Sequence, residues 1–179
     1  ALDRETISIM GLSYGTYLGS AYATRYPQHT DRVVLDSAMD PGLAWNGIMG
    51  SQQAGYEHTL HEFLAWVADR HDVYGLGETP LAVYQAWSAR IVAETGTNPT
   101  VVPPPARVGD LPPGLGSSGE PGAQAYTAVN PFVVSSQGLS SQAVTGGNQA
   151  NSPLLAMTRM GLPFTSQWDG LARMINGTA

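Results

Sequence analysis

The sequence reads ISIMGLSYG at residues 7–15, and this stretch decides the fold of the first part of the chain. Residues 7–10 are a short run of β-branched and apolar side chains, which is typical of a parallel strand buried on both faces. The G-x-S-x-G pattern at its end predicts a sharp turn that leads from the strand into a helix. Gly11 and Gly15 fit this turn, because any larger residue at either position would place a side chain against the neighbouring strand or helix.

The turn places Ser13 where it can do chemistry. A serine in such a turn has a strained backbone, often with positive φ, and its hydroxyl is raised clear of the sheet. The backbone N–H of Tyr14 comes at the start of the helix, where it can donate to a developing oxyanion. The motif therefore predicts acyl transfer, with Ser13 as nucleophile and the Tyr14 N–H as an oxyanion-hole donor.

The residues after the turn complete a strand–helix–strand unit. Residues 14–26 predict a helix that Pro27 ends, and residues 32–36 predict a second short strand. Such a unit is the building element of a doubly wound parallel sheet. Because no further strand of this type follows, we expect a sheet of two strands with open edges and an uncovered apolar face.

From about residue 43 the pattern becomes helical. Apolar residues recur at three- and four-residue spacing as far as residue 67 and predict one long amphipathic helix. Thr79 and Pro80 then form an N-cap followed by proline at the first helical position, and the helix they begin ends near Gly96. Residues 165–175 predict a last helix.

Two stretches are less regular. Residues 98–122 are rich in proline and glycine and predict an extended connection with no core of its own. Residues 135–152 are dense in serine, glutamine, glycine and asparagine, and the sequence leaves open whether they form a polar helix or a mobile loop.

Composition excludes several functions. The formal net charge is −6 and all eight basic residues are arginines without a basic run, so nucleic acid is not an expected partner. The absence of cysteine excludes disulfides and thiolate chemistry. No run of the sequence has the length of a membrane-spanning helix, and nothing in it predicts a metal or a cofactor.

The motif and its surroundings resemble a known family. GLSYGTYLGS at 11–20, YATRYP at 22–27 and DRVVLDSAMDP at 31–41 are similar to the secreted tripeptidyl aminopeptidases of actinobacteria, in the proline-iminopeptidase-like branch of the α/β-hydrolases. Weaker matches to that family's cap run through the later helices, with GLPF at 161–164 the last of them.

The resemblance implies a partial α/β-hydrolase fold (strand–elbow–helix–strand) followed by a mainly helical cap. Residues 1–42 would be a fragment of the core that carries the nucleophile elbow, and residues 43–179 would be the cap (lid) region. The family's Gly-rich oxyanion loop lies upstream of the elbow, and its catalytic aspartate and histidine lie downstream of the cap. We therefore expect this chain to be a piece of a longer parent, to lack the triad base and to be inactive alone.

Other candidate residues have simpler explanations. His58 and His61, with Glu57 and Glu62 beside them, could face one metal ion, but no third strong ligand is in view and a solvated helix face is the simpler interpretation. Glu57 and Glu62 could instead hold the α-ammonium group of a substrate, as cap carboxylates do in this branch, or be plain surface charges. Two aspartates after the second strand are candidate triad acids or ordinary loop residues. These are Asp36 and Asp40.

The resemblance implies a secreted serine hydrolase that removes short peptides or residues from peptide N-termini. Its substrate would be a peptide or an ester, because the same elbow also serves carboxylesterases and lipase-like enzymes and the fold does not choose between them. A non-catalytic fragment, folded only together with its missing strands, is the alternative from a different class.

Overall fold

The computed structural model describes residues 4–43 and 45–178, which group into two compact units. The first unit is Ala1–Ala54 and the second is Gly55–Ala179, so the division falls within a long helix. The domain boundary expected after residue 42 stays a prediction.

The first unit contains the expected strand–turn–helix–strand order. Strand β1 is Ile7–Leu12, helix α1 is Tyr14–Arg25, and strand β2 is Thr30–Asp36 after a 3-10 turn at Pro27–His29. The strands pair in parallel, with Leu12 opposite Asp36, so both end at the same edge of the sheet. These are the only two strands in the part of the chain that the structure describes, as predicted.

Helix α1 packs on the sheet through small residues. Thr16 and Gly19 are its buried positions, because the helix axis runs close over the strands. A Cβ atom on Gly19 would lie 3.0 Å from the Leu35 side chain and 3.2 Å from that of Ile9. The close approach leaves no room for a larger residue at this position unless the Leu35 and Ile9 side chains move.

One prediction about β1 is wrong: the strand is not buried on both faces. The Met10 side chain is 77% exposed, and Leu12 on β1 and Val34 on β2 are also exposed. The cause is that β1 has one neighbouring strand and one packed helix among the described residues, and these do not cover the rest of the sheet. The uncovered apolar face that we expected is therefore present.

The second unit is helical. Six α-helices follow β2 among the described residues, and the first of them begins within the first unit. Their bounds are Trp45–Ala68 for α2, His71–Tyr74 for α3, Pro80–Thr95 for α4, Gly119–Thr145 for α5, Pro153–Gly161 for α6 and Trp168–Asn176 for α7. Among the described residues, no helix combines the length and the apolar character needed to cross a membrane. The predicted order, strand–turn–helix–strand followed by a mainly helical region, is confirmed.

The core of this unit lies between α2, α4, α6 and α7. Helix α4 follows its prediction closely: the Thr79 hydroxyl accepts a hydrogen bond from the Ala82 N–H at 3.1 Å, and Gly96 ends the helix in the left-handed conformation. Burial of one large apolar side chain contributes about 1.5–3 kcal/mol to folding. The large buried residues are Leu60, Phe63, Leu64, Val67, Leu81, Tyr84, Trp87, Ile91, Leu154 and Leu171.

The proline-rich segment is held more firmly than its composition suggests. Pro99, Pro103 and Pro104 are buried, and the Val101 carbonyl accepts a hydrogen bond from the Tyr84 hydroxyl at 2.9 Å. Burial at this place raises the pKa of the Tyr84 phenol, which therefore stays protonated. Val101 and Ala106 of this segment pack against the core of the helical unit. The expectation that residues 98–122 form an extended connection with no core of its own stays a prediction.

Helices α3, α5 and α6 were not predicted, although the sequence left a helix open for the second part of α5. Helix α5 begins at Gly119, inside the expected connection, and runs through residues 135–145, so that this stretch is a helix and not a loop. It contains Pro131, which argues against a helix when the sequence is read alone. Helix α6 begins at Pro153, and Ser152 and Pro153 form an N-cap and proline pair of the kind that predicted the start of α4. The Ser152 hydroxyl accepts a hydrogen bond from the Leu155 N–H at 3.0 Å.

Candidate active site

Ser13 occupies the turn between β1 and α1 in a strained conformation. Its φ is 54° and its ψ is −118°, a region that residues with a side chain rarely adopt. Ser13 stands at the N-cap of α1, but its side chain makes no capping hydrogen bond and is exposed. The hydroxyl is thus presented outward rather than used to stabilise the helix, as the elbow motif predicts.

Backbone hydrogen bonds hold this strained turn in place. The Ser13 N–H donates to the carbonyl oxygen of Asp36 at 3.0 Å, which extends the pairing of the two strands by one residue. The next residue, Ser37, is the other non-glycine residue with positive φ (58°) among those described. Two strained residues at adjacent strand ends are typical of a functional site, where surrounding contacts maintain the strain.

Thr16 joins the turn to the loop after β2. Its hydroxyl donates to the carbonyl oxygen of Ser13 at 2.7 Å and accepts from the backbone N–H of Met39 at 2.9 Å. The residue is only 2% exposed, so both bonds are shielded from water. Thr16 was not predicted from the sequence, although a threonine three residues after an N-cap can bond back to that residue's carbonyl.

The two glycines of the motif have different surroundings. A Cβ atom on Gly11 would lie 2.3 Å from the carbonyl oxygen of Gly15, which is a direct clash with backbone. A Cβ atom on Gly15 would meet no described atom within 4 Å. The expected collision occurs at Gly11, but at Gly15 it does not, because neither strand of the described sheet lies against that side of α1.

Tyr14 is the first residue of α1, so its backbone N–H lies at the helix end that carries partial positive charge. That is where an oxyanion adjoining Ser13 would be stabilised, as the sequence predicts.

No histidine in residues 4–43 or 45–178 is hydrogen-bonded to the Ser13 hydroxyl. His29 precedes β2, at the edge of the sheet opposite to Ser13, and its Nδ1 contacts the Glu5 carbonyl at 2.9 Å. In the second unit, Nε2 of His61 contacts the Val102 carbonyl at 2.8 Å, and Nδ1 of His71 accepts from the Gly77 N–H at 3.1 Å. Each of these rings has a partner that accounts for its orientation.

The weaker candidates also have local partners. The Asp36 carboxylate accepts from the Ser37 hydroxyl at 3.3 Å, and the Asp40 carboxylate accepts from the Gly42 N–H at 2.7 Å. Nε2 of His58 lies 3.5 Å from the Glu62 carboxylate, and both side chains are largely exposed. The described residues contain no cluster of three or more side chains that could hold a metal ion.

Sequence comparison identifies the family to which this geometry belongs. A profile described as alpha/beta hydrolase fold matches residues 1–147, which is most of the chain. The strained serine between a parallel strand and a helix is the feature on which that family builds its chemistry. The chain belongs to the α/β-hydrolase fold family.

Individual relatives are named as peptidases. The chain is 35% identical to the tripeptidyl aminopeptidase of Streptomyces lividans over 89 residues, which are 49% of this chain and 17% of that protein. It is 29% identical to the serine protease Hip1 of Mycobacterium tuberculosis over 118 residues, which are 66% of this chain and 22% of that protein. The chain thus spans about a fifth of the length of these relatives.

Proposed function

We propose that these 179 residues carry the nucleophile of a serine peptidase that releases short peptides, such as tripeptides, from the N-termini of its substrates. The observation that supports this most is Ser13: an exposed hydroxyl on a strained turn at the start of a helix, in a chain with peptidase-named relatives. The aminopeptidase specificity rests on those names and on the resemblance of residues 11–41.

The reaction follows from the elbow. The Ser13 Oγ attacks the scissile carbonyl carbon, its proton passes to a general base, and the carbonyl electron pair moves onto oxygen. The Tyr14 N–H stabilises that oxyanion, with the partial positive charge of the α1 N-terminus behind it. Collapse of the intermediate breaks the C–N bond, the amine leaves with a proton from the base, and water then hydrolyses the acyl-enzyme.

The general base belongs, in this proposal, to a part of the parent protein outside the 179 residues. "Parent protein" means the full-length product of the gene that encodes this chain. The support is that His29 in the first unit and the three histidines of the helical unit contact other groups, and that the sheet exposes apolar side chains such as Met10 and Val34. Further strands of the parent would cover those side chains and complete the triad.

Two finer points are part of the same proposal. Glu57 or Glu62 would hold the substrate α-ammonium group, which needs a carboxylate, and Glu62 is exposed enough to do so. The parent would be exported from the cell, a point that rests only on the resemblance to a secreted family.

A substrate panel on the purified parent tests the proposal. We expect cleavage of a tripeptide anilide with a free N-terminus, a much slower reaction when that N-terminus is acetylated, and no activity in the Ser13→Ala variant. Slow cleavage of the anilides together with fast hydrolysis of long-chain fatty-acyl esters would instead identify an esterase or lipase-like enzyme.

A further inference from the structure

An open cleft of about 320 Å³ lies beside the elbow, within the first unit. Two tyrosines of α1 form one wall, and the loop after β2 with the start of α2 forms the other. Its main lining residues are Tyr14, Tyr17, Met39, Pro41, Leu43 and Ile48.

The cleft is lined by uncharged side chains, with polar atoms among the apolar ones. Among the residues that the structure describes, no lysine, arginine, histidine or carboxylate side chain lines it. The Tyr14 and Tyr17 rings stack with their centroids 6.0 Å apart and an interplanar angle of 24°, so that they present one continuous aromatic surface. A charged group placed there would lose its hydration without gaining an ion pair, whereas an apolar group would gain burial.

The opposite wall is held in shape by its own hydrogen bonds. The Met39 N–H donates to the buried Thr16 hydroxyl at 2.9 Å, and the Leu43 N–H donates to the Asp40 carbonyl at 3.2 Å. The Asp40 carboxylate accepts from Gly42 and so is used within the loop. The cleft is therefore a preformed surface, as ligand pockets usually are.

Its position relative to Ser13 points to its occupant. In the proposed mechanism the Tyr14 N–H binds the oxyanion, and Tyr14 also lines the cleft. When a substrate carbonyl is bound at that N–H, the substrate residue to which this carbonyl belongs therefore lies next to the cleft. We propose that the cleft binds the side chain of the residue whose carbonyl Ser13 attacks, and that it selects an uncharged apolar or aromatic residue at that position.

This inference rests on the proposed function, and the experiment separates the two. In the parent protein, kcat/KM is measured for tripeptide anilides that differ only in the residue before the scissile bond, and active sites are titrated with a fluorophosphonate. We expect Leu and Phe to exceed Asp and Lys by about 10-fold or more. If the parent cleaves none of them and Ser13 is not labelled, the proposed function itself fails.

Variants of one tyrosine locate the selection. Tyr17→Ala removes half of the aromatic wall, and we expect kcat/KM per titrated site to fall about 10-fold for Leu and Phe substrates with little change for Ala. Tyr17→Phe keeps the ring and should behave as wild type. Tyr26→Ala is the matched control, because Tyr26 lies just beyond α1, is as exposed as Tyr17 and does not line the cleft.

Two results would overturn the inference while the proposed function stands. One is equal cleavage of the Leu and Asp substrates. The other concerns peptides that vary in the residue after the scissile bond. If Tyr17→Ala changes the relative kcat/KM only among these peptides, the cleft does not bind the residue before the bond.

Discussion

Thr16 holds the backbone of Ser13: its buried hydroxyl donates a hydrogen bond to the Ser13 carbonyl oxygen at 2.7 Å. The same hydroxyl accepts from Met39 in the loop after β2. One side chain therefore connects the strained turn at Ser13 to the adjacent loop. The positive φ of Ser13 costs about 1–3 kcal/mol, and contacts such as these maintain it.

Thr16→Val tests this connection because it keeps the shape of the side chain and removes the hydroxyl. The Met39 N–H then loses its partner in a buried place, which costs about 1–3 kcal/mol. We expect kcat of the parent protein on a tripeptide anilide to fall about 10-fold or more, since small displacements of a nucleophile are costly. Thr16→Ser should stay within about 3-fold of wild type. An unchanged kcat in Thr16→Val would show that the turn does not need this bond.

The two glycines of the motif should respond differently to alanine. A Cβ on Gly11 meets the Gly15 carbonyl oxygen at 2.3 Å, whereas one on Gly15 meets no described atom within 4 Å. In the 179-residue chain, Gly11→Ala should abolish hydrogen-exchange protection of residues 7–12, and Gly15→Ala should preserve it. Equal loss of protection in both variants would contradict the geometry of the turn.

The core of the helical unit contains a buried polar pair. The Trp87 Nε1–H donates to the Thr158 hydroxyl at 3.1 Å, and that hydroxyl donates to the Leu154 carbonyl at 2.7 Å. Thr158→Val leaves the indole N–H without a partner, and we expect it to lower the free energy of unfolding by about 1–3 kcal/mol. Urea unfolding followed by tryptophan fluorescence measures this, with Thr158→Ser as the control that should restore most of the loss. A Thr158→Val chain as stable as wild type would show that the Trp87 indole N–H does not need this partner.

A carboxylate on α7 should titrate at unusually low pH. Hydrogen bonds from Arg173 and then Tyr74 hold the pKa of Asp169 below its ordinary value of 3.8. Because the folded-state pKa is depressed, the stabilising effect of Asp169 is present above about pH 3.8 and is lost as the pH falls through the lower folded value. In a carbon-13 NMR titration we expect Arg173→Gln to raise the Asp169 midpoint, and Tyr74→Phe to raise it less. A midpoint that neither variant moves would exclude these bonds as the cause.

The elbow and α4 could be predicted from the sequence because their signals are local. G-x-S-x-G after an apolar run specifies one turn, and Thr79-Pro80 specifies one helix start. The contacts of Thr16 could not be predicted in the same way, since its partner Met39 is 23 residues away and only the pairing of β1 and β2 brings them together.

The wrong predictions have two physical causes. Burial of β1 was inferred from composition, but burial depends on what covers a strand, and Met10 is exposed. The first part of helix α5 was not predicted and its second part was left open, because Pro131 and the many serines oppose a helix locally. The Thr127 hydroxyl, which donates to the Ala123 carbonyl and accepts from the Ala106 N–H, ties the helix to the proline-rich segment. Tertiary contacts outweighed local preference there.

The central claim is that Ser13 is the nucleophile of a hydrolase whose base lies outside these 179 residues, and fluorophosphonate labelling read by peptide mass spectrometry tests it most directly. The parent protein should be labelled at Ser13, and its Ser13→Ala variant should not. The 179-residue chain should resist labelling, because a serine hydroxyl without a base stays protonated and reacts slowly. A parent that is not labelled at Ser13 would contradict the assignment of the nucleophile. Fast labelling of the 179-residue chain alone would show that one of its own histidines, such as His58, His61 or His71, serves as the base.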